Sequence, residues 1–460
     1  MTLESPKHGS SQSTPSQGAG AIKALPDYPQ VKQVPIAALK PYANNPRTHS
    51  KKQIAQIVKS IETFGWTNPL LVDEDMGLIA GHGRLEAAKQ LGLTEVPVLA
   101  FAHMSEAQKR AYIIADNKLA ENAGWDKGLL AIELQGLMEI DLDFDIEITG
   151  FAMGEIDVLL TDQNTDQDSQ EVAPAPDTDA PAISQLGDLW MVGPHRLYCG
   201  DTLKPETWSE LMGGRKAQMV FTDPPYNVPI SGHVSGLGQV KHREFAMASG
   251  EMSQEAFTAF LATTFARLVS VAQDGAIHFI CMDWRHIQEV LDAAAGPYSE
   301  LKNLCVWAKT NAGMGAFYRS QHELVFAYKQ GTAPHINNFG LGETGRHRSN
   351  LWTYAGANTF RANRMKDLAS HPTVKPLDLV ADAIQDCSKR GGIVVDAFAG
   401  SGTTLLAAHK TGRVGYGVEI DPHYADLCVR RLQDATGETA IHGEAFDSFE
   451  AIASERALAS

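Results

Sequence analysis

The sequence lacks the features that mark disulfide-rich, metal-binding and membrane proteins. Its five cysteines are widely separated and form no Cys-x-x-Cys pair, so we expect neither a disulfide framework nor a metal site. No apolar run is long enough to span a bilayer, and the N-terminus has no apolar signal-peptide core. The formal net charge of −16 argues against a generic nucleic-acid coat. We therefore expect a cytoplasmic protein. The length of 460 residues predicts two or three domains.

Two stretches have compositions typical of unstructured segments. The tail at residues 1–28 is rich in Ser, Gln, Gly and Pro, and the stretch 161–185 is acidic and Pro/Ala-rich, with no Lys or Arg. Such stretches cannot bury enough apolar surface to fold, so the second is expected to be a linker. The expected order is a tail (1–28), an α+β domain (29–160), the linker (161–185), an α/β catalytic domain (186–445) and a second tail (446–460).

The tetrapeptide Asp223-Pro224-Pro225-Tyr226 is the main candidate for a catalytic site. It follows the apolar run 217–222, which predicts a buried strand ending in a turn. The two prolines remove two N–H donors, so the Pro224 carbonyl is free to accept a hydrogen bond beside the Asp223 carboxylate. An amine held by both acceptors, with its ring stacked on Tyr226, would keep its lone pair for attack. This arrangement suits the exocyclic amine of a nucleobase swung out of a helix. An ordinary Pro-Pro turn is the alternative.

A glycine turn far downstream predicts a site for a nucleoside-containing cofactor. Residues 392–404 read as a strand, a turn with Gly400 and Gly402, and a helix start that offers free backbone donors. Glu419 ends the next strand about 20 residues beyond the turn, where an acceptor for ribose hydroxyls belongs. The turn lacks the spacing of NAD and ATP motifs, which argues against those cofactors. The residues expected at this site are Asp396, Phe398, Gly400, Ser401, Gly402, Thr403 and Glu419.

These motifs together resemble the amino-methylating DNA methyltransferases that use S-adenosyl-L-methionine, over roughly residues 186–435. His371 to Pro376, including Lys375, matches the family motif at the methionine end of the cofactor, and Asp201 matches the position that contacts its adenine. The catalytic tetrapeptide precedes the cofactor turn, as in the circularly permuted β group. The resemblance implies a class I, Rossmann-like doubly wound sheet, double-stranded DNA as substrate, and a place in restriction–modification.

The same resemblance leaves the target base open. Asp223 at the first motif position favours N6 of adenine, because Ser is commoner there in the N4-cytosine enzymes. Cytosine carbon methylation needs a Pro-Cys nucleophile, and the sequence has no Pro-Cys pair. Because the methyl group already sits on a sulfonium, placement and electrostatics are enough for transfer.

A second glycine turn lies in the N-terminal part. Residues 78–92 read as a strand, a turn and a helix that begins near Gly81, His82, Gly83 and Arg84, an arrangement that suits an anion. The pattern resembles the ParB-like domain of partition proteins, whose Gly-Glu-Arg-Arg phosphate box aligns with these four residues. His and Gly here replace Glu and the first Arg, and a turn-filling role for His82 is the alternative.

The ParB resemblance implies association with DNA and a nucleotide as a second ligand. Such domains are familiar in phage-like fusions to methyltransferases. A ParB-like binding protein with an inactive methyltransferase domain is an alternative from a different functional class, and homodimer formation is left open.

Basic and aromatic residues alternate between Lys302 and Asp367, where nine Lys/Arg stand against three Asp/Glu. This pattern predicts phosphate contacts in a target-recognition region at about 227–370, with a solvated face as the alternative. Phe317 and Tyr318 are either base contacts or ordinary core aromatics. The Gly-rich run 232–250 is expected to close over DNA, with a structural insertion as the competing interpretation. The expected DNA contacts are Arg319, Arg346, Arg348, Arg361 and Arg364.

Overall fold

The chain forms two compact units, residues 1–125 and residues 126–460. The computed structural model describes residues 29–140, 143–161, 176–178, 180–228, 250–310, 317–342, 344–355 and 375–459. Within these ranges, no helix combines the length and apolar character needed to cross a membrane. The same ranges contain no group of three or more His, Cys, Asp or Glu side chains arranged to hold a metal ion.

The first unit is an α+β domain built on a small mixed sheet. Its described elements are β1 (Lys32–Pro35), α1 (Lys51–Phe64), β2 (Leu70–Val72), β3 (Leu78–Ala80), α2 (His82–Gln90), β4 (Glu95–Ala100) and α3 (Glu106–Glu121). The strand order is β1-β4-β2-β3, with β4 and β2 parallel and both outer pairs antiparallel. The Ser50 hydroxyl caps α1 by accepting from the Gln53 amide at 3.1 Å, and Gly65 ends the helix with a φ of 74°.

The second unit is an α/β domain around a long mixed sheet. Its described elements are α4 (Lys127–Glu139), α5 (Met153–Thr161), β5 (Leu189–Val192), β6 (His195–Cys199), α6 (Pro205–Met212), β7 (Ala217–Thr222), α7 (Gln254–Val271), β8 (Ala272–Met282), α8 (Ile287–Ala294), β9 (Glu300–Lys309), β10 (His322–Lys329), β11 (Leu351–Tyr354), α9 (Leu377–Cys387), β12 (Ile393–Asp396), α10 (Thr403–Lys410), β13 (Val414–Glu419), α11 (Pro422–Thr436), β14 (Ala440–His442) and α12 (Phe449–Ala459).

The sheet of the second unit has the doubly wound architecture expected from the sequence. Its described strands follow the order β11-β9-β10-β8-β7-β12-β13-β6-β5-β14. The central run β8-β7-β12-β13-β6 is parallel throughout. On β7, Met219 and Phe221 pack toward α9 and α10, and Val220 packs on the opposite face toward α6 and α7. Burial on both faces explains the continuous apolar sequence of this strand.

The permuted order of the motifs has a direct structural counterpart. β7 and β12 are far apart in sequence but pair in parallel, with Val395 opposite Val220. Their carboxyl ends therefore meet at one edge of the sheet, the edge where open α/β sheets bind ligands. The catalytic tetrapeptide and the cofactor turn both begin at this edge.

The boundary between the units lies earlier in the chain than the sequence suggested. We expected an N-terminal domain to residue 160, but α4 and α5 belong to the second unit. The Asp157 carboxylate, fully buried on α5, pairs with Arg413 at 2.7 Å and with Arg390 at 3.0 Å. Gly154 lies so close to the Asn338 backbone that an added Cβ would be 2.2 Å from its carbonyl oxygen. The acidic stretch therefore connects two parts of one unit.

Parts of two other expected segments belong to the folded core of the second unit. They are the end of the linker (161–185) and the target-recognition region (227–370). Ser184 is buried, and its amide donates to Asp426 at 2.8 Å. The region 227–370 contributes β8, β9, β10 and β11 to the sheet. Most of the Gly-rich run 232–250 lies outside the described residues.

Candidate active site

The catalytic tetrapeptide follows β7 at the carboxyl edge of the sheet. The Tyr226 hydroxyl donates to Asp223 Oδ1 at 2.7 Å, and Pro224 is buried while Pro225 is half-buried. Asn227 follows with a φ of 51°. Its side chain accepts from the Gly250 and Met252 amides at 3.1 and 3.2 Å. Asn227 thus fixes the backbone directly after the tetrapeptide, a role that sequence reasoning missed.

Lys375 is brought to the catalytic carboxylate. Its Nζ lies 2.5 Å from Asp223 Oδ2, 3.0 Å from Glu323 Oε2 and 3.1 Å from the Tyr226 hydroxyl. The resemblance placed Lys375 at the methionine end of the cofactor. Its contact with Asp223 links that end of the site to the reaction centre.

Glu323, Lys309 and Trp307 complete a charged cluster that sequence reasoning missed. Lys309 Nζ lies 2.5 Å from Glu323 Oε1 and 4.6 Å from the centre of the Trp307 ring. β9 ends at Lys309, and β10 begins at His322, one residue before Glu323. Lys309 and Glu323 therefore lie at the edge of the sheet that carries the tetrapeptide. The available signal was an acidic residue at the start of an otherwise apolar strand.

Burial and opposite charges set the ionisation of this cluster. Burial raises the pKa of Asp223, and Glu323 adds to that effect while Lys375 opposes it. Burial alone would raise the pKa of Glu323, but Lys375 and Lys309 outweigh it and lower the pKa to about 2. For Lys375 burial opposes the charge, yet the two carboxylates outweigh it and raise its pKa. The cluster is therefore an alternating chain of charges from Lys309 to Asp223.

The cofactor turn is organised around the buried carboxylate of Asp396. Its Oδ1 accepts from the Thr222 hydroxyl at 2.9 Å and from the Phe398 amide at 3.0 Å. Its Oδ2 accepts from the Thr404 hydroxyl at 2.6 Å. Burial raises the pKa of Asp396 to about 6. Asp396 therefore ties β7, the turn and the start of α10 together, while Thr403 is simply the first residue of that helix.

The glycines of the turn are required by their geometry. Gly402 has a φ of 86°, and an added Cβ would lie 2.5 Å from Cys428 Sγ. Gly400 has a φ of 52°, and its amide donates to Glu419 Oε2 at 2.7 Å. Ser401 is buried, and its carbonyl accepts from Arg431. Arg431 on α11 and Glu419 thus both hold the turn in place.

A cleft opens at the carboxyl ends of β6, β12 and β13. Burial raises the pKa of Glu419 to about 7. A hydroxyl that donates to this carboxylate would favour its ionised form. Asp201 lies between two lining residues and accepts from the Leu203 amide at 2.9 Å. An acid beside apolar walls fits a nucleoside, with ribose hydroxyls on the acid and a base against the walls. The lining residues are Gly200, Thr202, Ala397, Phe398, Val418, Glu419 and Ile420.

The N-terminal glycine turn also has the expected backbone form. Gly81 caps α2 with a φ of 96°, and Gly83 packs against His49 and Ile57. The Arg84 guanidinium donates to the Asn68 carbonyl at 2.5 Å, back toward β2. His82 Nε2 is buried without a hydrogen-bond partner among the described residues.

Two of the five expected DNA contacts are corrected by the structure. Arg346 donates to Asp386 at 2.8 Å, and Arg348 donates to the second oxygen of the same carboxylate at 2.8 Å. Asp382, one turn earlier on α9, accepts from both arginines. Both guanidinium groups point inward to pair with this helix, so they are not placed to contact phosphate.

The tip between β9 and β10 has the exposure that a DNA contact needs. Phe317 is 90% exposed and Tyr318 is 81% exposed, so the interpretation as core aromatics is wrong. Arg319 is exposed beside them. Arg361 and Arg364 lie outside the described residues, as do His371 to Val374.

The chain matches three known sequence families in succession. Residues 23–117 match the ParB N-terminal domain, residues 128–186 the ParB-methyltransferase HTH domain, and residues 217–430 the family described as DNA methylase. The second match covers α4 and α5, in agreement with their separation from the first unit.

Individual relatives also match either the N-terminal part or the methyltransferase part of the chain. The ParB-like nuclease domain-containing protein YnaK of Escherichia coli K12 is 51% identical over 76 residues, 16% of this chain and 87% of YnaK. The type II methyltransferase M2.DpnII of Streptococcus pneumoniae is 27% identical over 229 residues, 48% of this chain and 84% of that enzyme. Among solved structures, the PvuII DNA methyltransferase (cytosine-N4-specific) is 15% identical, covers 54% of this chain and 93% of its own, and has a TM-score of 0.39.

These matches and the fold identify the two parts of the chain. The methyl donor of the methyltransferase family is S-adenosyl-L-methionine, and the cleft residues fit its nucleoside part. The chain carries a DNA methyltransferase domain of the N6/N4 type at residues 217–430 and a ParB-like domain in its N-terminal part.

Proposed function

We propose that the protein transfers a methyl group to N6 of a flipped adenine in double-stranded DNA. The observation that carries this proposal is the position of Asp223, at the edge of the sheet shared with the cofactor cleft and in contact with Lys375. In this proposal Asp223 and the Pro224 carbonyl accept the two amine protons, and Tyr226 stacks on the base. The amine lone pair is then directed toward the cofactor side of the site.

S-adenosyl-L-methionine supplies a methyl group already activated on sulfur. On transfer, the methyl carbon would exchange its bond to sulfur for a bond to the amine nitrogen, the sulfonium would become a neutral thioether, and the nitrogen would release one proton through Asp223 to solvent. The chain's own residues contribute orientation and charge: Asp223 stabilises the positive charge that develops on the amine nitrogen. Glu419 would hold the ribose, and Asp201 would lie near the adenine of the cofactor, as the family resemblance implies.

The base assignment has a direct test. Unmethylated DNA incubated with the protein and S-adenosyl-L-methionine should contain N6-methyladenine after digestion to nucleosides and mass spectrometry. DNA treated with Asp223→Ala serves as the blank. N4-methylcytosine as the sole product would show that the preference drawn from Asp223 is wrong, while the reaction class would stand.

Contacts to DNA are proposed for the tip between β9 and β10. Phe317, Tyr318 and Arg319 are exposed there, in the connection between the strands that carry Lys309 and Glu323. Aromatic rings offer stacking surfaces for bases, and the guanidinium can pair with phosphate.

For the N-terminal unit we infer a phosphate-bearing ligand at the turn before α2. Gly81 leaves the first amides of α2 available, and Arg84 lies at the same helix end. The unpartnered Nε2 of His82 adds a polar atom within this turn. Such helix ends bind anions through backbone donors and the helix dipole.

Arg84→Ala should weaken binding of a nucleoside triphosphate about tenfold or more, because a charge-assisted hydrogen bond is lost. Calorimetry with each of the four triphosphates measures this, with exposed Arg110→Ala as the matched control. Methylation of short duplexes should not change, because both cofactor motifs lie in the second unit. Loss of methylation in Arg84→Ala would show that the N-terminal unit takes part in catalysis.

A further inference from the structure

The catalytic carboxylate is already engaged in this structure. Asp223 Oδ2 accepts from Lys375 Nζ at 2.5 Å, and Oδ1 accepts from the Tyr226 hydroxyl at 2.7 Å. The proposed reaction requires one of these oxygens for the target amine. The amine would compete with these two donors for the lone pairs of Asp223, so a second acceptor for either donor would leave more of the carboxylate to the amine.

Glu323 offers the same two donors a second acceptor. Its Oε2 lies 3.0 Å from Lys375 Nζ and 3.2 Å from the Tyr226 hydroxyl. We propose that Glu323 is a positioning residue that holds the Lys375 ammonium and the Tyr226 hydroxyl while Asp223 accepts the amine. This inference rests on the proposed methyl transfer. Both donors already bridge the two carboxylates, so each can pass to Glu323 through a small movement.

The surroundings of Glu323 suit this role. Lys309 occupies its other oxygen at 2.5 Å, which keeps the carboxylate ionised and fixes its orientation. Trp307 lies opposite Glu323 on β9, and its ring centre is 5.8 Å from Lys375 Nζ. The ammonium thus has an aromatic surface and a second carboxylate within reach besides Asp223. A buried ammonium with no remaining acceptor would be strongly unfavourable, so releasing Asp223 requires such a partner.

We expect the pH dependence of methyl transfer to change when Glu323 loses its charge. Asp223 must be ionised to accept the amine, so activity rises with pH through its pKa. Burial raises that pKa, and the negative charge of Glu323 raises it further. Removing this charge should move the acid limb to lower pH. The other charged or titratable groups in electrostatic contact with Asp223 are Lys375, Tyr226, Asp396 and Cys281.

The test compares the full-length Glu323→Gln variant with wild type in methyl transfer from labelled S-adenosyl-L-methionine. We expect kcat to fall about 10²-fold, as for loss of one preorganised charged group, with the acid limb shifted to lower pH. KM for the cofactor should stay within about twofold, because Glu323 is outside the cleft. Glu289→Gln is the matched control: this buried carboxylate pairs with His286 at 3.1 Å on another element, and it should behave as wild type.

Each outcome decides a different question. A loss of rate without movement of the acid limb would assign Glu323 a structural role only and overturn the proposal, as would wild-type behaviour. If Glu323→Gln fails to fold by circular dichroism, Glu323→Asp decides: it keeps the charge, so it should be active with the wild-type acid limb, and an inactive folded Glu323→Asp would contradict us. If wild-type protein methylates no DNA, the proposed function fails first.

Discussion

Replacing Asp223 by alanine is expected to lower methyl transfer by about 10²–10³-fold, the effect of removing one preorganised charge from a reaction centre. The variant loses the charged acceptor for the amine and keeps only the Pro224 carbonyl. Lys375 retains its contact with Glu323 at 3.0 Å, so no buried ammonium is left without a partner. Transfer of labelled methyl groups to DNA measures the loss.

Binding of S-adenosyl-L-methionine separates a catalytic defect from a folding defect. The cleft residues lie at the carboxyl ends of β6, β12 and β13, so calorimetry should find wild-type cofactor affinity in Asp223→Ala. Asp378→Ala is the control, because Asp378 is an exposed carboxylate that pairs only at the surface with Lys410. Activity of Asp223→Ala near the wild-type rate would contradict the catalytic assignment of the tetrapeptide.

The largest effect on stability is expected from Asp157→Ala. Asp157 and Arg413 are both buried, and the carboxylate accepts from Arg413 at 2.7 and 2.9 Å. Alanine would leave a buried guanidinium without its partner, which costs about 3–5 kcal/mol. For a unit that spans residues 126–460 we expect Tm to fall by roughly 4–7 °C. Differential scanning calorimetry measures the change.

The matched control is Asp145→Ala, which removes an exposed ion pair with Lys389 in the same unit. That pair should contribute about 1 kcal/mol or less. Two fragments extend the test: residues 126–460 should fold, whereas residues 184–460 lack Asp157 and should be markedly less stable. Equal Tm values for the two fragments would show that α4 and α5 are not part of the catalytic unit.

The sequence predicted the parts of the fold that depend on local pattern. The apolar runs ending at Thr222 and Asp396 are strands in the structure, and the turn glycine Gly402 has the positive φ that its position requires. Each of these features depends on residues within a few positions. The order of the two motifs also indicated the permuted β group of the family that the sequence resembles.

The sequence did not reveal contacts between distant segments. Arg346 looked like a phosphate ligand because its partners, Asp382 and Asp386, lie on a helix beyond the basic region. Glu323 has no motif around it, and its role depends on Lys375, which reaches it only in the folded sheet. The sequence did not reveal the early boundary between the units for the same reason, because Asp157 pairs with Arg413, which lies far from it in the sequence.

The pairing of β7 with β12 also has a consequence for synthesis of the protein. The ribosome completes the strand that carries Asp223 long before it completes the strand beside it. Until then, one edge of an apolar central strand is unpaired, which favours aggregation and slows folding. A nascent chain that stops before Ile393 holds the catalytic tetrapeptide but no cofactor turn. We therefore expect incomplete chains to be unable to methylate DNA, because the candidate tetrapeptide and the cofactor turn come together only when β12 pairs with β7.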